Sequence, residues 1–118
     1  MIHNLAQVQA RLSTFGFETV YLEGMSVRDQ ILLFQSADFV IGPHGAGLAN
    51  LLFCQPGTKV IELTPTVEMR PFFWLTSQKL GLVYGVQFCD TAEGQGFHAS
   101  ISVDLDKLDA LYRIVDAY

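Results

Sequence analysis

Residues 38–63 read D-F-V-I-G-P-H-G-A-G-L-A-N-L-L-F-C-Q-P-G-T-K-V-I-E-L, and this stretch decides the fold. An apolar run, residues 38–41, enters a loop over residues 42–47 that contains three glycines and one histidine. The loop runs into a short helical segment, residues 48–54, and Pro56 and Gly57 then turn the chain into a second apolar run, residues 59–63. Strand, loop, helix, turn and strand in that order make a parallel βαβ unit. Glycine permits positive φ and removes the Cβ that keeps a ligand off the backbone, while a helix start offers unpaired N–H groups and positive dipole. An anion, above all a phosphate, suits such a place.

A plainer reading is that the glycines only turn the chain tightly from strand to helix. His44 tips the balance toward a ligand, because it sits at the loop crest among Gly42, Gly45 and Gly47, which give it no packing partners. Position agrees, since ligands of open α/β sheets bind beyond the carboxyl ends of the strands, where this loop must lie.

The run G-P-H-G-A-G-L-A-N-L-L-F, then P-G-x-x-V-I-E-L, with S-V-R-D-Q-I-L-L-F-Q-S-A-D upstream, resembles the C-terminal part of glycosyltransferase family 61. The resemblance covers residues 4–84. It implies the donor-binding half of an inverting, two-lobed GT-B sugar transferase, in a family that includes protein O-linked N-acetylglucosaminyltransferases, plant xylosyl- and arabinosyltransferases and bacterial capsular polysaccharide-biosynthesis proteins. It further implies a UDP-linked sugar nucleotide as donor substrate, no cofactor, no metal, and a glycan or protein acceptor. His44 and the helix start would stabilise the departing diphosphate. The family's N-terminal lobe, and a strand ending in arginine ahead of the first helix, are missing from this chain. The general base is expected from that lobe or from a cleft carboxylate, and no residue here identifies it.

Bulk properties agree with a single domain over residues 1–118. Half of the 118 residues are hydrophobic and 16% are charged, enough to bury a core. A net charge of −5 with only seven Lys and Arg argues against a nucleic-acid or anionic-membrane surface. Cys54 and Cys89 belong to no zinc or C-x-x-C spacing and read as buried thiols. The three histidines form no metal-binding pair, and no G-x-S-x-G elbow is present. With no apolar run long enough to span a membrane and no leader, the expected location is cytoplasmic.

In chain order, Leu5, Val8, Leu12 and Phe15 recur at helical spacing behind Asn4 as N-cap, and residues 17–22 (F-E-T-V-Y-L) predict a strand. A chain that opens on a helix leading into a strand suggests that the fold begins mid-unit. Ser26, with Asp29 three residues on, starts a helix with an apolar face through Val27, Ile31, Leu32 and Phe34. Its Gln30 and Arg28 read as solvated side chains. Residues 64–71 form a polar loop on the same sheet edge as His44, and Pro71 starts a helix running to Gly81. Residues 82–88 predict a strand, residues 91–98 a loop holding His98, and residues 101–103 a short edge strand. Asp104 caps a closing amphipathic helix. The fold class is therefore α/β: a three-layer Rossmann-like domain with a mostly parallel sheet of four or five strands.

The candidate substrate-binding set is Gly42, His44, Gly45, Ala46, Gly47, Asn50 and Glu62, with Glu68 and Arg70 from the following loop. A carboxylate at position 62 suits sugar hydroxyls because it accepts two charge-assisted hydrogen bonds. Asn50 suits either the ligand or the local backbone. Three functions stay open on these residues: the transferase half, a freestanding nucleotide-binding or assembly module, and a structural domain that self-associates through a sheet edge or the aromatic residues 72–74.

Overall fold

The computed structural model describes residues 2–65, 72–93 and 100–118. Among them four strands, β1 (Phe39–Pro43), β2 (Lys59–Pro65), β3 (Val83–Glu93) and β4 (Ser100–Ser102), form one sheet in that order. β1, β2 and β3 are parallel and β4 is antiparallel to β3, so the sheet is mostly parallel as expected. The helices are α1 (Leu5–Ser13), α2 (Val27–Ser36), α3 (Phe72–Leu80) and α4 (Leu105–Asp116), and a 3-10 helix spans Ala46–Phe53.

β2 is central and every residue from Val60 onward is buried, which is why it reads as an apolar run rather than an alternating one. Its side chains alternate between two cores. Ile61 and Leu63 pack with Val8 of α1, Ile101 of β4, and Leu108 and Val115 of α4. Val60 packs on the other face with Phe34 of α2 and with Leu48 and Leu51 of the 3-10 helix. Helices thus cover both faces, the three-layer arrangement compatible with a Rossmann-like fold.

Local signals set several boundaries. Ser26 Oγ accepts the amide of Asp29 at 3.0 Å, and Asp104 Oδ1 accepts those of Asp106 and Lys107 at 3.0 and 3.1 Å. Asn4 acts differently from the expected cap. Its side chain donates to the Val103 carbonyl and accepts the Val103 amide, both at 2.9 Å, because a carboxamide matches one backbone donor and acceptor at once.

Several expectations change. Residues 17–22 are not a strand: they run past β1 without entering a ladder. They are anchored by side chains instead. Phe17 packs edge-on against Phe39 at 5.2 Å, and Gln30 Nε2 donates to the carbonyls of Leu22 and Met25 at 3.4 and 3.2 Å. Gln30 is therefore engaged with the backbone, while Arg28 is exposed. The sheet consequently has four strands among the described residues, and β1 is its edge. The short helix expected over residues 48–54 is present as a 3-10 helix that starts earlier, at Ala46, with Leu48 N–H to Gly45 O at 3.1 Å and Cys54 N–H to Leu51 O at 3.0 Å. The anticipated loop at residues 91–98 begins later, since β3 continues to Glu93, and His98 lies outside the described residues.

Close packing at the α4–β3 contact generates a stability prediction. A Cβ on Gly85 would lie 2.9 Å from Val115 Cγ2 and 3.2 Å from Leu111 Cδ1. Gly85→Ala should destabilise the chain by about 1–3 kcal/mol, read from urea unfolding midpoints. Burial pushes the Cys89 thiol up from 9.0 to about 11, the nearby Thr64 backbone opposing this in part. The unfolded chain loses this proton first, so stability should fall as pH rises from about 9 to 11, by up to about 3 kcal/mol. Cys89→Ala should flatten that slope in unfolding curves taken across the same range.

Candidate functional site

The site begins with strand register. Gly42 and Pro43 of β1 pair with Glu62 and Leu63 of β2, and the His44 amide donates to the Leu63 carbonyl at 2.8 Å, which carries the pairing one residue past β1. His44 is thereby held at the carboxyl end of β2. Glu62 lies on the same face as Val60, two residues earlier. Tyr84 of β3 pairs with Val60, which places the phenol beside the same carboxylate.

The three side chains are bonded to one another. Glu62 is 2% exposed, its Oε2 lies 2.5 Å from His44 Nδ1, and its Oε1 accepts the Tyr84 hydroxyl. Phe73 of α3 meets the His44 ring edge-on at 5.1 Å, and the histidine side chain is 14% exposed. Burial, then the hydrogen bond and charge of Glu62, push the Tyr84 phenol up, so it stays protonated and donating. His44 therefore does not stand unsupported at the crest of the loop. Its ring turns inward because a buried carboxylate requires donors, and register brings that carboxylate alongside.

Past His44 the chain opens. Gly45 is extended, and a Cβ there would meet nothing within 4 Å. Gly42 and Gly47 serve packing, since added Cβ atoms would approach Leu48 Cδ2 at 3.3 Å and Leu22 Cδ1 at 3.0 Å. Among the described residues, the amides of Gly45, Ala46 and Gly47 meet no acceptor, as the first turn of a 3-10 helix requires. Asn50 Nδ2 donates to the Gly47 carbonyl at 3.2 Å and to Gln30 Oε1 at 3.0 Å, and so ties the loop to α2.

A cleft of about 1070 Å³ is lined by residues of the 15–22 segment, by β1 and by this loop, with Gly42, His44, Gly45 and Gly47 among them. Of the expected set, the structure gathers these four at the cleft, with the Ala46 backbone at the helix start. Asn50 stands behind the loop and Glu62 beneath His44. Glu68 and Arg70 lie outside the described residues. Sequence reasoning missed Tyr84 and Phe73. Only their placement opposite Glu62 and His44 marks them, and no local pattern in the chain carries that.

Comparison with known proteins places this arrangement in a family. Residues 1–61 match the family model described as Glycosyltransferase 61. Beta-1,2-xylosyltransferase RCN11 of Oryza sativa subsp. japonica is 42% identical over 60 residues, 51% of this chain and 11% of the relative. Beta-1,2-xylosyltransferase of Arabidopsis thaliana is 38% identical over 84 residues, 70% of this chain and 16% of the relative. The match thus spans only a small part of the length of each.

His44→Ala removes a ring that meets the buried Glu62 carboxylate and should cost about 1–3 kcal/mol in urea unfolding. Gly45→Ala, facing open space, should stay within about 0.5 kcal/mol of the parent.

Proposed function

The chain belongs to glycosyltransferase family 61, and from that premise we propose that it is the donor-binding part of a glycosyltransferase. The bound group is the diphosphate and nucleoside of a sugar nucleotide, UDP-linked, and the complete enzyme inverts the anomeric centre on a GT-B scaffold. The observation that carries this reading is the unobstructed backbone at Gly45, just past β1 in the lining of the cleft, followed by the first amides of the 3-10 helix at Ala46 and Gly47. Amides without acceptors and a helix start favour an anion, and the missing Cβ at Gly45 lets a phosphate approach the main chain.

In this scheme the loop amides hold the diphosphate as the glycosidic bond breaks, and His44 beside them stabilises the charge that develops on the leaving group. Such preorganised donors lower the barrier because they need no reorientation as charge grows. The diphosphate is held by protein donors, with no metal required. Xylosyl transfer, named for both relatives, makes a UDP-xylose-type donor the first to test. The general base comes from a cleft carboxylate or from a second lobe, which would also set most of the acceptor choice; the chain spans a small share of its relatives' length.

A UDP titration followed by backbone amide NMR tests the reading. Gly45, Ala46 and Gly47 should shift most, Gly45→Val should abolish binding without unfolding the chain, and His44→Ala should weaken it about tenfold. Unchanged spectra at millimolar UDP would overturn the assignment.

A further inference from the structure

The buried cluster behind the loop contains two groups to which donor binding gives no direct part. Glu62 faces protein, at 2% exposure, and both of its oxygens are engaged, Oε2 with His44 Nδ1 at 2.5 Å and Oε1 with the Tyr84 hydroxyl. An ionised carboxylate only accepts, so the Nδ1 atom that meets it must carry the proton. Partners of this kind behind a histidine set both its tautomer and its ring orientation.

We propose that Glu62 and Tyr84 are positioning residues, a buried carboxylate and phenol that lock the His44 ring with Nδ1–H toward Glu62, and that Glu62 affects the donor only through His44. This inference rests on the donor-site reading and assigns a different task within it, since Glu62 then makes no contact with sugar or ribose. The mechanical logic follows from the elements. Glu62 sits in β2 and Tyr84 in β3, so two interior strands of the sheet orient a side chain carried just past the end of β1. Phe73, edge-on at 5.1 Å, limits rotation of the ring from the α3 side. A histidine held in this way meets a ligand in one orientation, without the ordering cost that a free rotor would incur. Tyr84 stays protonated because burial and the adjacent Glu62 charge both oppose its ionisation, so its hydroxyl remains a donor to the carboxylate.

Imidazole NMR of the unmodified chain is the first test, with His44 assigned by its loss in His44→Ala. A proton on Nδ1, in the neutral ring or the imidazolium, is the expected result, and a ring protonated on Nε2 alone would overturn the proposal. Glu62→Leu should release the ring to the Nε2–H form, while Tyr84→Phe should keep Nδ1–H. The second test is a double-mutant cycle on UDP affinity. Glu62→Leu should weaken binding several-fold, yet His44→Ala combined with Glu62→Leu should bind within about twofold of His44→Ala alone. Losses that multiply would put Glu62 on the ligand and sink the idea. If Glu62→Leu does not fold, Glu62→Gln, close to the native shape, takes its place in the cycle, and its combination with His44→Ala should again bind within about twofold of His44→Ala alone. Absence of UDP binding by the parent chain would remove the donor-site reading while leaving the tautomer measurement to decide the ring lock by itself.

Discussion

A carboxylate buried in the central strand is the constraint on which the site side of this fold depends. Glu62 lies between Ile61 and Leu63 of β2, which face one core, while its own side chain faces the other with Val60. Burying such a group without partners costs several kcal/mol, and removing one partner of a satisfied pair leaves much of that cost exposed. The hydroxyl of Tyr84 and the ring of His44 answer it from the two neighbouring chain segments, one in β3 and one just past β1. One acidic side chain thereby ties three adjacent parts of the sheet together at their carboxyl ends. A chain that slipped by one residue in register would send Glu62 into the opposite core, where Val8, Leu108 and Val115 offer no donor.

The same constraint explains why the glycine loop is both anchored and open. Its entrance is held by the His44 amide on Leu63 and by the ring on Glu62, and its exit by Asn50 on the Gly47 carbonyl. Between these fixed points Gly45 needs no glycine for internal reasons, being extended and without close neighbours. Rigid flanks with an unobstructed backbone between them are what preorganised anion binding demands. The 3-10 geometry of Ala46–Phe53 suits the short path: a tighter helix lets Leu48 and Leu51 reach the core while the first amides stay at the cleft.

Membership of glycosyltransferase family 61 accounts for the local sequence around the loop, and the matched region, residues 1–61, ends just short of Glu62. Tyr84 is in the portion beyond it. The support behind His44, from Glu62, Phe73 and Tyr84, therefore lies wholly beyond that boundary, and the domain has to be folded before loop and support meet. Phe73 and Tyr84 pack against the core on the Val60 face, beside α2 and the 3-10 helix, so that layer positions the support.

What the sequence determined by itself is what depends on near neighbours along the chain. The apolar runs of β1 and β2, the Pro56–Gly57 turn, and the caps at Ser26 and Asp104 were legible because periodicity, turn chemistry and capping act over a few residues. The α/β class and the place of the glycine loop at a strand end followed from them. Tertiary structure alone decided the rest. Residues 17–22 have the composition of a strand, but a strand needs a ladder partner, and β1 faces a cleft there instead. Asn4 looked like a helix cap and bonds instead to Val103, 99 residues away. His44 looked like an outward-facing group because its sequence neighbours are glycines, yet it turns toward Glu62 and Phe73, which sequence distance hides and strand register brings near. Local propensity is read along the chain, whereas the demand of a buried charge for its donors is met across the sheet.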